Sequence, residues 1–209
     1  MKKILTSVLT LGIAAASLPV TALAADTSDP VTKNGERLKY NTPYYLKDKK
    51  LPHKGGVTFD TWSLYDYVCF ADSSTDNGTP IIFENVDKTD GFIKSDDKIN
   101  VKSTKADAGQ YWTYTIAWFM DSVGLSDDNK TEHRIYGSSK DNSIGIGFPA
   151  KIEFPEKEVN NTNALYFVEY KGEDTKKAWM KPVLHLIYDK KLPALSDRQT
   201  PFEVIEVSE

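Results

Sequence analysis

Asn34-Gly-Glu-Arg-Leu-Lys-Tyr-Asn-Thr-Pro-Tyr-Tyr-Leu46 near one end of the chain and Pro201-Phe-Glu-Val-Ile-Glu-Val207 near the other read as two turn-led strands. In the first, Asn34-Gly35 supplies a turn that tolerates positive φ, and the apolar residues after it sit in an extended rather than a helical context. In the second, Phe202, Ile205 and Val207 mix with Glu203 and Glu206 behind Pro201, the pattern of a strand with one half-buried face. A chain whose first and last segments are strands is expected to close a barrel with them. That expectation points away from enzymes and towards a binding protein.

Between these ends, strand signals recur with turns between them. Val57 to Trp62 follows the pair Gly55-Gly56, Tyr67 to Ala71 precedes the turn Asp76-Asn77-Gly78, and Pro80-Ile-Ile-Phe83 comes next. Gly91-Phe-Ile93, Lys98 to Thr104 and the alternating Tyr111-Trp-Thr-Tyr-Thr-Ile116 continue the series. Arg134-Ile-Tyr136, Ser143 to Phe148, Ala164 to Tyr170 and Val183 to Tyr188 complete it. The one helical candidate, Ile116 to Leu125, equally prolongs its strand. About a dozen short strands in one domain mean a sandwich or barrel. Divisions at Gly91 and near Val159 give three spans of about four strand signals each, which predicts an all-β fold, a β-trefoil of about twelve strands in three pseudo-repeats.

The first residues are read as a leader rather than as fold. Lys2 and Lys3 precede an apolar stretch from Ile4 to Val20, and Ala22-Leu23-Ala24 is a small-x-small cleavage site. Residues 1–24 are therefore expected to be a secretory signal peptide and 25–209 a single exported domain, with no membrane span. Losing the leader removes two lysines and no acid, so the formal net charge of −4 becomes more negative. Nucleic acid is not an expected partner. Cys69 is the one cysteine. It lies in the apolar run Tyr67-Val-Cys-Phe-Ala71, which predicts a buried thiol, a fold held by packing alone and a monomer.

Asn34 to Leu46 resembles the N-G-x-x-Y-Y-x-L opening of the Kunitz soybean-trypsin-inhibitor family, and Lys54-Gly-Gly-Val-Thr58 resembles its following glycine pair. Cys69 stands where that family has its first cysteine, and Gly78-Thr-Pro-Ile-Ile-Phe83 is similar to the strand before its inhibitory loop. Trp112 falls in a W-x-V-like strand, and Ser143-Ile-Gly-Ile146 is similar to D-I-G-I. Ala194-Leu-Ser-Asp197 with Pro201-Phe-Glu-Val204 resembles the family's L-x-x-S-x-x-P-F-x-V ending. The resemblance implies a β-trefoil inhibitor that offers a basic residue between its fourth and fifth strands. Here that loop runs from Glu84 to Gly91, with Asn85, Val86, Asp87, Lys88 and Thr89 as the inhibitory residues and Lys88 as the one offered to a trypsin-like serine protease. A trypsin-type pocket holds a carboxylate that pairs with Lys or Arg, and a rigid loop binds without the entropy of ordering. The amide of Asn85 is placed to brace such a loop.

A second likeness points to carbohydrate. Gln110-Tyr111-Trp112 matches the Q-x-W signature of ricin-type lectin repeats, also β-trefoils, with Asp107 just upstream. Asp107, Gln110 and Trp112 are thus candidate sugar-binding residues, and the alternative partner is a glycan or a host-surface protein, with a lectin-like or toxin-associated role. In that family the Q-x-W tryptophan mostly fills the core.

Enzyme chemistry finds little support. His53, His133 and His185 have no Cys or His at metal-ligand spacing, and no G-x-S-x-G, H-E-x-x-H or phosphate-binding loop occurs. Asp72 to Gly78 suggests a calcium loop only superficially, since Phe83 stands where a Glu is required. No catalytic residue, metal or cofactor is predicted.

Overall fold

The computed structural model describes residues 27–62, 65–85, 87, 90–105, 109–117, 120–128, 130–138, 140–154, 157–169, 178–182 and 200–208. These form strands β1 (Thr27–Ser28), β2 (Pro43–Asp48), β3 (Val57–Trp62), β4 (Tyr65–Phe70), β5 (Ile81–Asn85), β6 (Asp97–Ser103) and β7 (Tyr111–Ala117). They continue with β8 (Met120–Ser126), β9 (His133–Ser138), β10 (Ser143–Phe154), β11 (Lys157–Glu169), β12 (Ala178–Pro182) and β13 (Phe202–Glu206). No helix occurs among the described residues, and none of them forms a segment long and apolar enough to cross a membrane as a helix.

Six of these strands close a barrel. β2 pairs with β5, β5 with β6, β6 with β9, β9 with β10, β10 with β13, and β13 returns to β2, every pairing antiparallel. The closing seam joins β2 to β13, with Leu46 opposite Val204 and Asp48 opposite Phe202. Closure removes the edge strands that would otherwise expose unpaired backbone groups. Hairpins β3–β4 and β7–β8 and the β10–β11–β12 ribbon extend from the barrel and meet one another at Tyr67 opposite Gly124 and Cys69 opposite Trp179.

The barrel strands form because their apolar residues recur every second position. β2 alternates half-buried and buried residues, β9 does so from His133 onward, and β6 does so from Ile99. The inward set, including Leu46, Phe83, Ile99, Val101, Ile135, Ile144, Phe202 and Val204, makes one continuous core with Trp112. Each such side chain contributes roughly 1.5–3 kcal/mol by leaving water. Cys69 is buried, as its apolar neighbours predict, and burial pushes its thiol up to about 12.

One open alternative is decided and two local expectations change. Ile116 to Leu125 falls in the β7–β8 hairpin, where the register Ile116 opposite Asp121 fixes it as strand. Gly91-Phe-Ile93 is not a strand, because Gly91 sits at φ +102 and Phe92 makes only an isolated bridge with Lys39. Asn34 to Leu46 becomes strand only from Pro43. Before that, Gly35 at φ +85 and Asn41 at φ +59 turn the chain back on itself. The leader at 1–24, the strand signal at Val183 to Tyr188 and the Ala194 to Asp197 motif lie outside the described residues.

Candidate functional site

The described residues of the connection from β5 to β6, 87 and 90–96, are tied to the turn that precedes β2. Tyr40 is the centre of this arrangement. Its backbone N–H donates to the Gly91 carbonyl at 3.1 Å, and the next N–H, of Asn41, donates to Phe83 at 3.0 Å. Its hydroxyl accepts a hydrogen bond from the Asn85 amide at 2.9 Å and donates one to the Asp97 carboxylate. Asn85 and Asp97 are the last residue of β5 and the first of β6, so one phenol ties together the two ends of the connection. Burial, and then the hydrogen bond to Asp97, holds that phenol well above the ordinary tyrosine range, so it is a constant donor.

Further bonds order each limb. The Asn85 side-chain oxygen accepts from the Asp87 backbone N–H at 2.6 Å, an Asx turn that starts the connection. On the return limb, Ile93 is fully buried and its N–H donates to Leu38 at 2.9 Å. Asp97 also accepts the Lys94 N–H at 2.8 Å, and Asp29 accepts that of Ser95 at 3.3 Å. Phe92 is 47% exposed, with the Arg37 guanidinium 4.5 Å from its ring centroid and Arg37 paired to Asp29 at 3.0 Å.

Replacing Tyr40 by Phe removes both hydroxyl bonds and leaves the barrel core intact. A cost of about 1–2 kcal/mol in unfolding free energy is expected, with cleavage at the 86–96 connection by subtilisin accelerated more than that cost alone implies. Equal cleavage rates in the two proteins would show that Tyr40 does not order the connection.

Of the residues predicted from sequence, Asn85 and Asp87 belong to this arrangement. Val86, Lys88 and Thr89 lie outside the described residues, as does Asp107. Gln110 is exposed, and its backbone is committed: the N–H donates to Asp127 at 3.0 Å and the carbonyl accepts from Ser103 at 2.5 Å. Trp112 is fully buried and offers no ring face to a sugar. The tryptophan of the Q-x-W pattern is therefore a core residue here. Sequence reasoning missed Tyr40 and Asp97. The sequence pattern read the segment after Asn34-Gly35 as extended and carried no hint of the turn at Asn41 or of the partner of Tyr40.

Elsewhere, Tyr111 lies under two ammonium groups, Lys130 at 4.0 Å and Lys102 at 5.8 Å from its ring centroid, and its hydroxyl donates to Glu84 at 2.9 Å. Among the described residues no three His, Cys, Asp or Glu side chains converge as a metal site.

No known protein-family model matches the chain. Among solved structures it is similar to trypsin inhibitor 1 from Senna obtusifolia, with 12% identity, a TM-score of 0.63, and coverage of 87% of this chain and 99% of that one. It is similar also to soybean trypsin inhibitor in complex with porcine pancreatic trypsin, with 10% identity, a TM-score of 0.64, and coverage of 85% and 98%. The fold is that of the Kunitz-type trypsin inhibitors. Botulinum neurotoxin type X from Clostridium botulinum is 33% identical in an alignment 82 residues long that covers 32% of this chain and 6% of the toxin's length.

Proposed function

We propose that this chain is a secreted, monomeric, non-catalytic inhibitor that presents the segment Asn85 to Thr89 to a trypsin-like serine protease, with Lys88 as the residue offered to the specificity pocket. The observation that carries the reading is the brace at Tyr40, which ties Asn85 to Asp97 and so orders both ends of the connection without a disulfide. An inhibitor needs such order, because a segment already held in its bound shape loses little conformational entropy on docking. The similarity to solved trypsin inhibitors, one of them bound to trypsin, supports a serine protease as partner. The alternation of barrel strands with outer hairpins supports a trefoil of three four-stranded units, β2–β5, β6–β9 and β10–β13. The Lys2-Lys3 leader with its Ala22-Leu23-Ala24 site supports export of residues 25–209 as one domain.

A second reading, a recognition module for a glycan or a host-surface protein, is favoured by the match to a clostridial neurotoxin and by the exposed Phe92 ring. Steady-state inhibition of trypsin, chymotrypsin, subtilisin and papain separates the two. Trypsin is expected to be inhibited tightly, and Lys88→Ala to weaken that inhibition about a hundredfold, or about 2.8 kcal/mol. Inhibition of none of the four sinks the inhibitor reading and favours the recognition module, for which binding to immobilised glycans is the next measurement.

A further inference from the structure

β9 begins with a histidine turned fully into the core. His133 is 0% exposed, and neither ring nitrogen has a hydrogen-bond partner. Its register partner on β6 is Ile99, at the end of a seam that continues through Lys98 opposite Arg134 and Asp97 opposite Ile135. That seam is short, and its far end carries the return limb of the 86–96 connection. The Asp96 N–H donates to the Ile135 carbonyl at 2.7 Å, the Arg134 guanidinium donates to the Asp96 carbonyl at 2.8 Å, and the Tyr136 hydroxyl donates to the Asp96 carboxylate at 2.8 Å. Asp97, next in line, holds Tyr40.

We infer that His133 is an acid-sensitive catch on the β6–β9 seam, and that its protonation opens the seam and releases the Asp96–Asp97 attachment of the 86–96 connection. The ring's surroundings are built for the neutral form. From β7 it meets the Trp112 ring edge-on at 6.1 Å and the Tyr114 ring at 5.6 Å between centroids. Tyr114 is the titratable group among these neighbours, and burial keeps its phenol protonated well above the ordinary range. From β6 the register partner is apolar Ile99, itself fully buried. The charged neighbours of His133 along β6 and β9 are partly exposed and already paired, Lys98 with Glu132 at 3.2 Å and Arg134 with Asp96 at 3.4 Å. Burial outweighs the Thr131 backbone, which favours the charged ring, and pushes His133 down to about 4.

An imidazolium here would carry two N–H donors and a buried charge that the Thr131 backbone does not compensate, a cost that opening to water removes. The folded seam therefore binds fewer protons than the open one between about pH 6.5 and 4. Its stability is fully present above pH 6.5, falls through that window and levels off below it. Between pH 7 and pH 4 the ratio of closed to open seam is expected to drop roughly a hundredfold.

Hydrogen exchange of the whole chain, corrected for intrinsic rates, reads this directly and needs no inhibition to be present. The Ile99 and Ile135 amides are expected to open about a hundredfold more at pH 4 than at pH 7. Amides of the β2–β13 seam should change several-fold less, and His133→Leu should hold the Ile99 and Ile135 change under threefold. An equal rise at both seams, no rise at all, or the same rise in His133→Leu would each overturn the catch. Should His133→Leu not fold, the histidine proton signals of the unsubstituted chain decide: a His133 midpoint coinciding with seam opening supports the inference, and one well above it overturns it.

Discussion

Gly56→Ala is expected to cost roughly 3 kcal/mol or more, among the largest effects of any single substitution in the described residues. A methyl group on Gly56 would lie 1.8 Å from the Asn77 carbonyl oxygen, and that oxygen belongs to backbone with no rotamer to change. The 73–78 turn is fixed in that position from several sides. Gly56 N–H donates to Asp76 at 2.8 Å, Ala71 N–H donates to Gly56 at 2.9 Å, and Thr79 N–H donates to Val57 at 2.8 Å. Gly78, at φ +80, is itself packed so that an added Cβ would be 2.1 Å from the Val57 carbonyl. The turn therefore moves only by breaking bonds that hold the start of β3 and the end of β4. Urea unfolding of the two proteins is the measurement, and a difference under 0.5 kcal/mol would show that the turn yields freely.

The pair Gly55-Gly56 was legible in the sequence as a turn, and its larger consequence was not. Neither residue is there for positive φ; what both provide is room for a segment some twenty residues later in the chain, a long-range requirement that local pattern does not carry. The barrel strands were legible for the opposite reason. Leu46, Phe83, Val101, Ile135, Phe202 and Val204 recur with period two in short runs between turns, and the period alone decides which residues face inward. Gly91-Phe-Ile93 misled because two apolar residues beside a glycine satisfy the same pattern over too short a run. One of them, Ile93, is core, and the other, Phe92, faces water.

The brace at Asn85 was legible as turn chemistry, and its partners were not. Turn chemistry marks the segment after Phe83, and Asn85 suits a brace by its chemistry alone. Its partner is Tyr40, and that phenol's other partner, Asp97, is 57 residues away in sequence. Tyr40 and Asp97 each look locally like an ordinary turn residue, and only barrel closure brings them together. His133 is a similar case. Its position between Glu132 and Arg134 reads as a polar stretch, yet the register with β6 turns it into the core between two charged residues that are partly exposed.

Trp112→Ala should destabilise the protein by about 3–5 kcal/mol, and the size of that loss bears on function as well as on fold. Trp112 heads the largest fully buried side chains among the described residues and joins β7 to the barrel core. Deleting it leaves a void bordered by the His133 ring, which stands 6.1 Å away and contributes no flexible chain to fill the space. Trp112→Phe should recover most of the loss, since it keeps the aromatic bulk and removes an indole N–H that has no hydrogen-bond partner in the folded state. A sugar-stacking tryptophan would behave differently: alanine would abolish binding at little cost in stability, and phenylalanine would retain part of the binding. Thermal and urea unfolding of the three proteins distinguish these patterns. A loss under 1 kcal/mol for Trp112→Ala would place the ring at the surface and return the Q-x-W pattern to carbohydrate. A loss in the expected range means that any binding defect of Trp112→Ala reflects the unfolded fraction, so tests of the recognition reading belong at exposed rings such as Phe92.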